Sequence, residues 1–383
     1  MALHFTEPDL AQRRARACAM MAGRGLDGLL IFRQESMYYL TGYDTFGYVF
    51  FQCLYLGADG TMTLLTRAPD LRQARHTSVI EDIRVWVDGD AADPAARLVD
   101  ILVEHRCRGR RLGVEWEAYG LTARNGLRLV AALDGFCATA DASDLVSRLR
   151  VLKSDAELAY VRRAAELADD AYAAAVALTA PGAAEAEILA AMQGTVLRGG
   201  GDYPGNEYII GSGRDALLCR YHSGRRHLDA DDQITLEWAG AFRHYHACLM
   251  RTFVVGTPPP AQRSMFEAAR DALDAAKAAL VPGRPLGEAF DAHARVLDDA
   301  GYRAHRMNAC GYSLGATFAP NWMDWPMLYH GCPEPVSAGM VLFVHIIIFD
   351  SDAGLAMTLG ETVSLSASGP ATLSRAPLTF VAG

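Results

Sequence analysis

The stretch that most constrains this chain is residues 233–253, QITLEWAGAFRHYHACLMRTF. Its apolar residues alternate instead of recurring at helical spacing: Ile234, Leu236 and Trp238 share one parity, and Thr235, Glu237 and Ala239 the other. After a break read at Ala239-Gly240-Ala241 the alternation resumes. His244, His246, Cys248 and Met250 then fall on one parity, and Tyr245, Ala247, Leu249 and Arg251 on the other. Two strands and a tight turn of this kind commit the chain to an antiparallel sheet. They also gather a carboxylate, imidazoles and a thiol on strand faces, an arrangement that suits either chemistry or a sheet with one solvated side.

The remainder reads as an α/β (α+β) layout in two parts. A helix at 11–23 leads into strands at 28–32, 49–56, 62–65 and 83–87, a helix at 95–104 and a strand at 111–114. Ser154 with Glu157 three residues later is a capping-box signature, so a long helix starts there and runs to about residue 178. A boundary just before it gives domains 1–142 and 143–383. Helices at 185–197, 260–280 and 286–300 and strands at 207–213, 340–349 and 357–365 complete the second domain.

Charge and composition narrow the function classes. A net charge of -9 argues against a nucleic-acid partner, which wants a basic face. No apolar run reaches a membrane span, and the charged N-terminus lacks a signal-peptide core, so a cytoplasmic protein is expected. The 8 cysteines show no C-x-x-C spacing, which fits reduced thiols.

Met250-Arg251-Thr252-Phe253 resembles the close of the first metal-ligand hairpin in the creatinase, prolidase and methionine aminopeptidase superfamily. Tyr38-Tyr39-Leu40-Thr41-Gly42-Tyr43 and the Arg150, Lys153, Ser154, Glu157 signature are similar to segments of its two domains. The resemblance implies a creatinase-type N-terminal α/β domain followed by a pita-bread domain with a curved antiparallel sheet and flanking helices. It also implies a homodimer in which the N-terminal domain of one subunit closes the other's site. Five ligand positions are implied, for two aspartates, a histidine and two glutamates. They correspond here to Glu237, Cys248, Tyr312 (in Gly311-Tyr312-Ser313-Leu314-Gly315), His345 (after Gly339-Met340-Val341) and Gly360 (before Glu361-Thr362-Val363). None keeps the expected residue type. Glu237, Cys248 and His345 are together able to ligate a single zinc, but the expectation is no metal and no other cofactor.

The run from Cys310 to Gly315, followed by Phe318-Ala319-Pro320-Asn321-Trp322, resembles the metal-free branch of creatinase and ectoine hydrolase. The function implied is metal-independent hydrolysis of a C–N bond (amide, amidine or cyclic amidine) in a small polar or zwitterionic metabolite. Such chemistry needs a side-chain base or nucleophile and a proton donor. Glu237 is the first candidate, since an apolar strand raises a carboxyl pKa toward the useful range. His345, in the most apolar run of the chain, is its acid/base partner, with His246 and Glu361 as further catalytic candidates; strand alternation turns Glu361 away from the vacant position beside it. Arg220 suits a substrate carboxylate. Tyr312, Cys248, Trp322 and Trp325 are expected to line the pocket, and Arg33, Tyr43 and Tyr48 to reach it from the other subunit. A metal-dependent Xaa-Pro dipeptidase, a non-catalytic binding protein and an osmolyte lyase are the competing readings.

Overall fold

A computed structural model describes residues 3–220 and 224–380. The chain divides into two compact units, Met1–Arg150 and Val151–Gly383. The division falls after Arg150, not at residue 142, because Leu145–Arg150 is a helix whose Leu145, Val146 and Leu149 belong to the apolar core of the first unit.

In the first unit, strands β1 (Gly28–Ile31), β2 (Cys53–Gly57), β3 (Met62–Arg67), β4 (Asp82–Trp86), β5 (Arg111–Val114) and β6 (Ala138–Asp141) form one sheet in the order β4-β3-β2-β1-β5-β6. Its apolar runs are continuous because both faces are covered. Leu29, Ile31, Leu54 and Leu56 enter one core cluster, while Leu30, Cys53, Tyr55 and Val114 enter another. The strand expected at 49–56 begins only at Cys53, a single 3₁₀ turn taking Gly47–Val49. The Tyr-Tyr-Leu-Thr segment is a helix, Gln34–Thr41. The buried carboxylate of Glu115 holds its start by accepting from the backbone N–H groups of Phe32 and Arg33 and from Ser36 Oγ.

The second unit carries β7 (Ile209–Ser212), β8 (Asp232–Phe242), β9 (Tyr245–Val255), β10 (Ala309–Ser313), β11 (Asp324–Tyr329), β12 (Val341–Asp350), β13 (Leu355–Ser366) and β14 (Gly369–Thr372). They form one sheet in the order β11-β10-β12-β13-β9-β8-β7, with β14 paired to β13. The long helix Asp155–Leu178 opens on a complete capping box between Ser154 and Glu157. Helices Pro260–Ala278 and Gly287–Asp299 cover an apolar cluster with Leu342, Val344, Ile346 and Leu359 of the sheet. Among the described residues no helix is long and apolar enough to cross a membrane.

The central hairpin is longer than its sequence suggested. β8 and β9 pair without interruption from Asp232↔Val255 to Phe242↔Tyr245. The turn is Arg243–His244, with φ of 51° and 65°. A two-residue loop with both centres left-handed matches the twist of the strands it joins. Ala239-Gly240-Ala241 lies inside β8. Gly240 is there because the helix Asp155–Leu178 crosses against it, and a Cβ would run into the carbonyl oxygen of Ala164.

Candidate functional site

Pairing register places the site residues. Glu237 stands opposite Met250, and Ala239 opposite Cys248. Gly360 pairs with both Met250 and His345, and Tyr312 pairs with Phe343. Residues directly opposite in a sheet project to the same side, and alternate residues along a strand share that side. Glu237, Cys248, Gly360, His345 and Tyr312, drawn from β8, β9, β13, β12 and β10, therefore lie on one face.

The contacts on that face are specific. The Tyr312 phenol donates to Glu237 Oε1 across 3.3 Å, and the indole N–H of Trp322, itself buried, donates to the same phenol oxygen at 2.9 Å. The rings of Tyr312, Phe343 and His345 pack as a trio, with centroids 5.3 to 5.6 Å apart. Burial pushes the Glu237 carboxyl up to about 7, against the pull of the Tyr312 hydrogen bond and the Arg220 charge. Burial, with His293 and Arg220 adding to it, brings His345 down to about 3, so its imidazole is neutral at physiological pH. Its Nδ1 is buried with no hydrogen-bond partner among the described residues, while the ring as a whole keeps some exposure. Burial holds the Tyr312 phenol and the Cys248 thiol well above their ordinary values, the charge of Glu237 adding to both. Tyr312 is thus a permanent donor and Cys248 an unreactive thiol.

The donor set does not fit a dinuclear metal centre. Bridging carboxylates are required there, and the face offers one carboxyl, a protonated thiol, a phenol and an imidazole. The fifth position is filled as well as vacant: a Cβ on Gly360 would stand 2.5 Å from Phe343 Cζ and 2.9 Å from Met250 Cβ. Among the described residues no three His, Cys, Asp or Glu side chains converge on a point able to hold a metal ion.

Other expected site residues lie elsewhere. His246 is fully buried and engaged on both nitrogens: Nε2 accepts from the Gly205 N–H at 2.8 Å, which leaves the proton on Nδ1, 3.1 Å from Thr317 Oγ1. Burial lowers it to about 4, and it serves as a neutral brace between loops. Glu361 points through the sheet to the opposite face, where it pairs with Lys277 Nζ at 2.9 Å and Arg251 Nη2 at 3.8 Å. Trp325 packs against the apolar cluster of that opposite face. Arg220 is exposed, its Nη2 3.9 Å from Met323 Sδ. In the first unit Tyr43 is a core residue whose hydroxyl meets Gln52 and Thr66, Tyr48 is buried beside Phe46, and Arg33 donates to Ser147 Oγ. Of the three, Tyr43 has its hydroxyl engaged within the core.

Sequence reasoning missed Phe343 and a row of threonines on the site face. Thr235, Thr252 and Thr358 link hydroxyl to hydroxyl at 2.9 Å, and Thr362 Oγ1 accepts from the Cys248 N–H at 2.8 Å. Their parity with Glu237, Cys248 and Gly360 was the available signal.

Comparison with known proteins bears on the same region. Residues 159–367 match the model of metallopeptidase family M24, and residues 13–152 that of the creatinase/prolidase N-terminal domain. The ectoine hydrolase of Halomonas elongata is 26% identical, with 98% of each chain covered. An uncharacterized hydrolase/peptidase of Sinorhizobium fredii, y4tM, is 28% identical over 84% of each chain. The Xaa-Pro dipeptidase of Pyrococcus furiosus is 24% identical over 61% of this chain and 65% of its own. Among solved structures, a prolidase from Thermococcus sibiricus superposes with a TM-score of 0.87 at 19% identity, covering 97% of this chain and 99% of that one.

Proposed function

The chain belongs to the metallopeptidase M24 family, and on that premise we propose that it is a metal-independent hydrolase of a C–N bond in a small polar or zwitterionic metabolite. The observation that carries the reading is the single buried carboxyl of Glu237, held by Tyr312 on a face whose remaining donors do not suit a metal pair. Similarity to the ectoine hydrolase over nearly the whole chain supports it.

In this reading Glu237, ionised, takes a proton from water as the water oxygen attacks the carbon of an amide or amidine. A C–O bond forms, the C–N bond breaks, and the proton held by Glu237 passes to the departing nitrogen. A carboxyl tuned to about 7 is suited to both halves of that exchange. Tyr312 keeps its proton throughout and orients the carboxyl. Neutral His345 offers a hydrogen-bonding imidazole on the same face, its Nδ1 unpartnered among the described residues. Direct attack by Glu237 is the variant of this scheme in which the carboxylate replaces water as nucleophile.

We further propose a cytoplasmic homodimer. Phe46, Val49, Phe50 and Tyr119 are large apolar side chains left exposed, and the backbone of Gly120 lies against the carbonyls of Tyr48 and Phe50, which draws them into one patch.

The competing reading, a metal-dependent Xaa-Pro dipeptidase, is favoured by similarity to the Pyrococcus furiosus enzyme. Elemental analysis of the purified protein separates the two, run beside a thermal-shift screen of creatine, ectoine, hydroxyectoine and Xaa-Pro dipeptides with and without chelator. Negligible metal and a shift from one zwitterionic solute are the expected results. Stoichiometric metal together with chelator-sensitive cleavage of a dipeptide overturns the proposal.

A further inference from the structure

The hydrogen bonds that reach Glu237 have a direction. An indole N–H can only donate, and a phenol has a single proton to give. Trp322 is fully buried and donates to the Tyr312 oxygen at 2.9 Å. That bond fills an acceptor position of the phenol, which leaves Tyr312 its own proton to place, and Glu237 Oε1 at 3.3 Å takes it. Among the described residues, Oε2 of the same carboxyl receives no such bond. One oxygen is tethered and the other is available.

The segment that carries Trp322 is clamped from two sides. The Thr317 N–H donates to the His244 carbonyl at 3.0 Å, and the rings of His244 and Phe318 stack with centroids 4.2 Å apart. Gly205 lies against the other end, where a Cβ would stand 2.8 Å from the Asn321 carbonyl oxygen and 3.2 Å from the Trp322 nitrogen. His246 holds both sides, its Nε2 accepting from the Gly205 N–H and its Nδ1 meeting Thr317 Oγ1. The indole therefore reaches Tyr312 from a fixed backbone.

We propose that Trp322 is a positioning residue: by donating to the Tyr312 oxygen it commits the phenol proton to Glu237 Oε1 and leaves Oε2 as the oxygen that meets water or substrate. The inference rests on Glu237 as the reacting carboxyl and adds a division of labour between its two oxygens. A relay in which each group donates to the next strengthens every link when the carboxyl at its end is ionised. Tyr312 then has no proton to spare for the departing nitrogen. The other titratable or charged groups that act on Glu237 or are acted on by it are Cys248, held protonated by burial, and Arg220. Neutral His345 shares the face. All three are common to the wild type and the variants below.

The protonated carboxyl of Glu237 has an infrared C=O stretch that Glu237→Gln removes, so its ionisation can be titrated in the full chain at rest, without substrate. The wild-type midpoint is expected at about 7. Two changes test the relay: Trp322→Phe, and a genetically encoded benzothienylalanine at position 322, which keeps the bicyclic shape and puts sulfur in place of the N–H. Each should make Glu237 a weaker acid by about threefold, the part of one neutral hydrogen bond that is passed along the relay. In a Tyr312→Phe background neither change should have a further effect. A midpoint unmoved by benzothienylalanine, or an equal shift when residue 312 is already Phe, overturns the proposal. Relay-dependent titration in a protein that hydrolyses no C–N bond would instead keep the positioning of Glu237 and sink its role as a hydrolytic base.

Discussion

Tyr312 holds its hydroxyl 3.3 Å from Glu237 Oε1 and donates into a carboxyl that burial has raised to about 7. A general base acts when ionised, so turnover should climb with pH through about 7 and then level off. Tyr312→Phe removes a hydrogen bond that favours the carboxylate, which moves the midpoint of this profile upward and lowers the plateau. Glu237→Gln should reduce kcat by a factor of about 10² to 10⁴ with the fold intact, as judged by circular dichroism.

The same carboxyl predicts a stability change with a definite sign. Its folded pKa, about 7, lies above the ordinary 4.5, so the folded protein holds this proton where the unfolded chain has released it. The associated stability is fully present below about 4.5 and is lost as pH rises through about 7. Glu237→Gln has no such proton to lose. Denaturant unfolding at pH 4.5 and pH 8 should show the variant gaining about 2 to 3 kcal/mol on the wild type over that interval.

Gly360 and Phe343 are matched in volume. Gly360→Ala should destabilise the protein by about 1 to 3 kcal/mol, because its Cβ would press on the Phe343 ring. Phe343→Leu in the same chain should recover part of that loss. Thermal melts of the two single variants and the double variant measure the coupling; strictly additive effects would contradict the contact.

Glu361 should matter to folding and not to chemistry. It is the acidic partner of the fully buried Arg251 and of Lys277. Glu361→Gln leaves a buried guanidinium without its counter-charge, a loss of about 3 kcal/mol or more by chemical denaturation, with kcat of the folded fraction unchanged.

If the exposed Phe46, Val49, Phe50 and Tyr119 meet a second copy, sedimentation velocity should find a dimer. Phe46→Asp with Phe50→Asp should shift it toward monomer without lowering the melting temperature measured at high dilution.

Part of this site was legible as parity. Alternation in β13 turned Glu361 away from the site, as the structure has it, whereas Glu237 and Cys248 were brought together by the resemblance and share a face through a β8–β9 register that the turn read at Gly240 would not have given. The errors came from groups distant in sequence. Gly240 looked like a turn residue, yet it is glycine because the helix carrying Ala164 lies across it; the true turn, Arg243–His244, has no glycine to announce it. His246 has the right parity for catalysis, but its nitrogens are claimed by Gly205 and Thr317, which no local pattern brings near. Tyr43 sat in a recognisable segment whose helical form and buried polar partners were invisible in its sequence. Strand faces follow from a period of two, whereas partners follow only from the assembled sheet.

The fit between Gly360 and Phe343 also bears on descent. A carboxylate at position 360 would collide with the ring before it could ligate anything, and shrinking the ring first leaves a hole with no carboxylate to fill it. Each single substitution toward a carboxylate at position 360 is thus disfavoured on folding grounds alone, and only a paired change of residues 343 and 360 escapes the penalty.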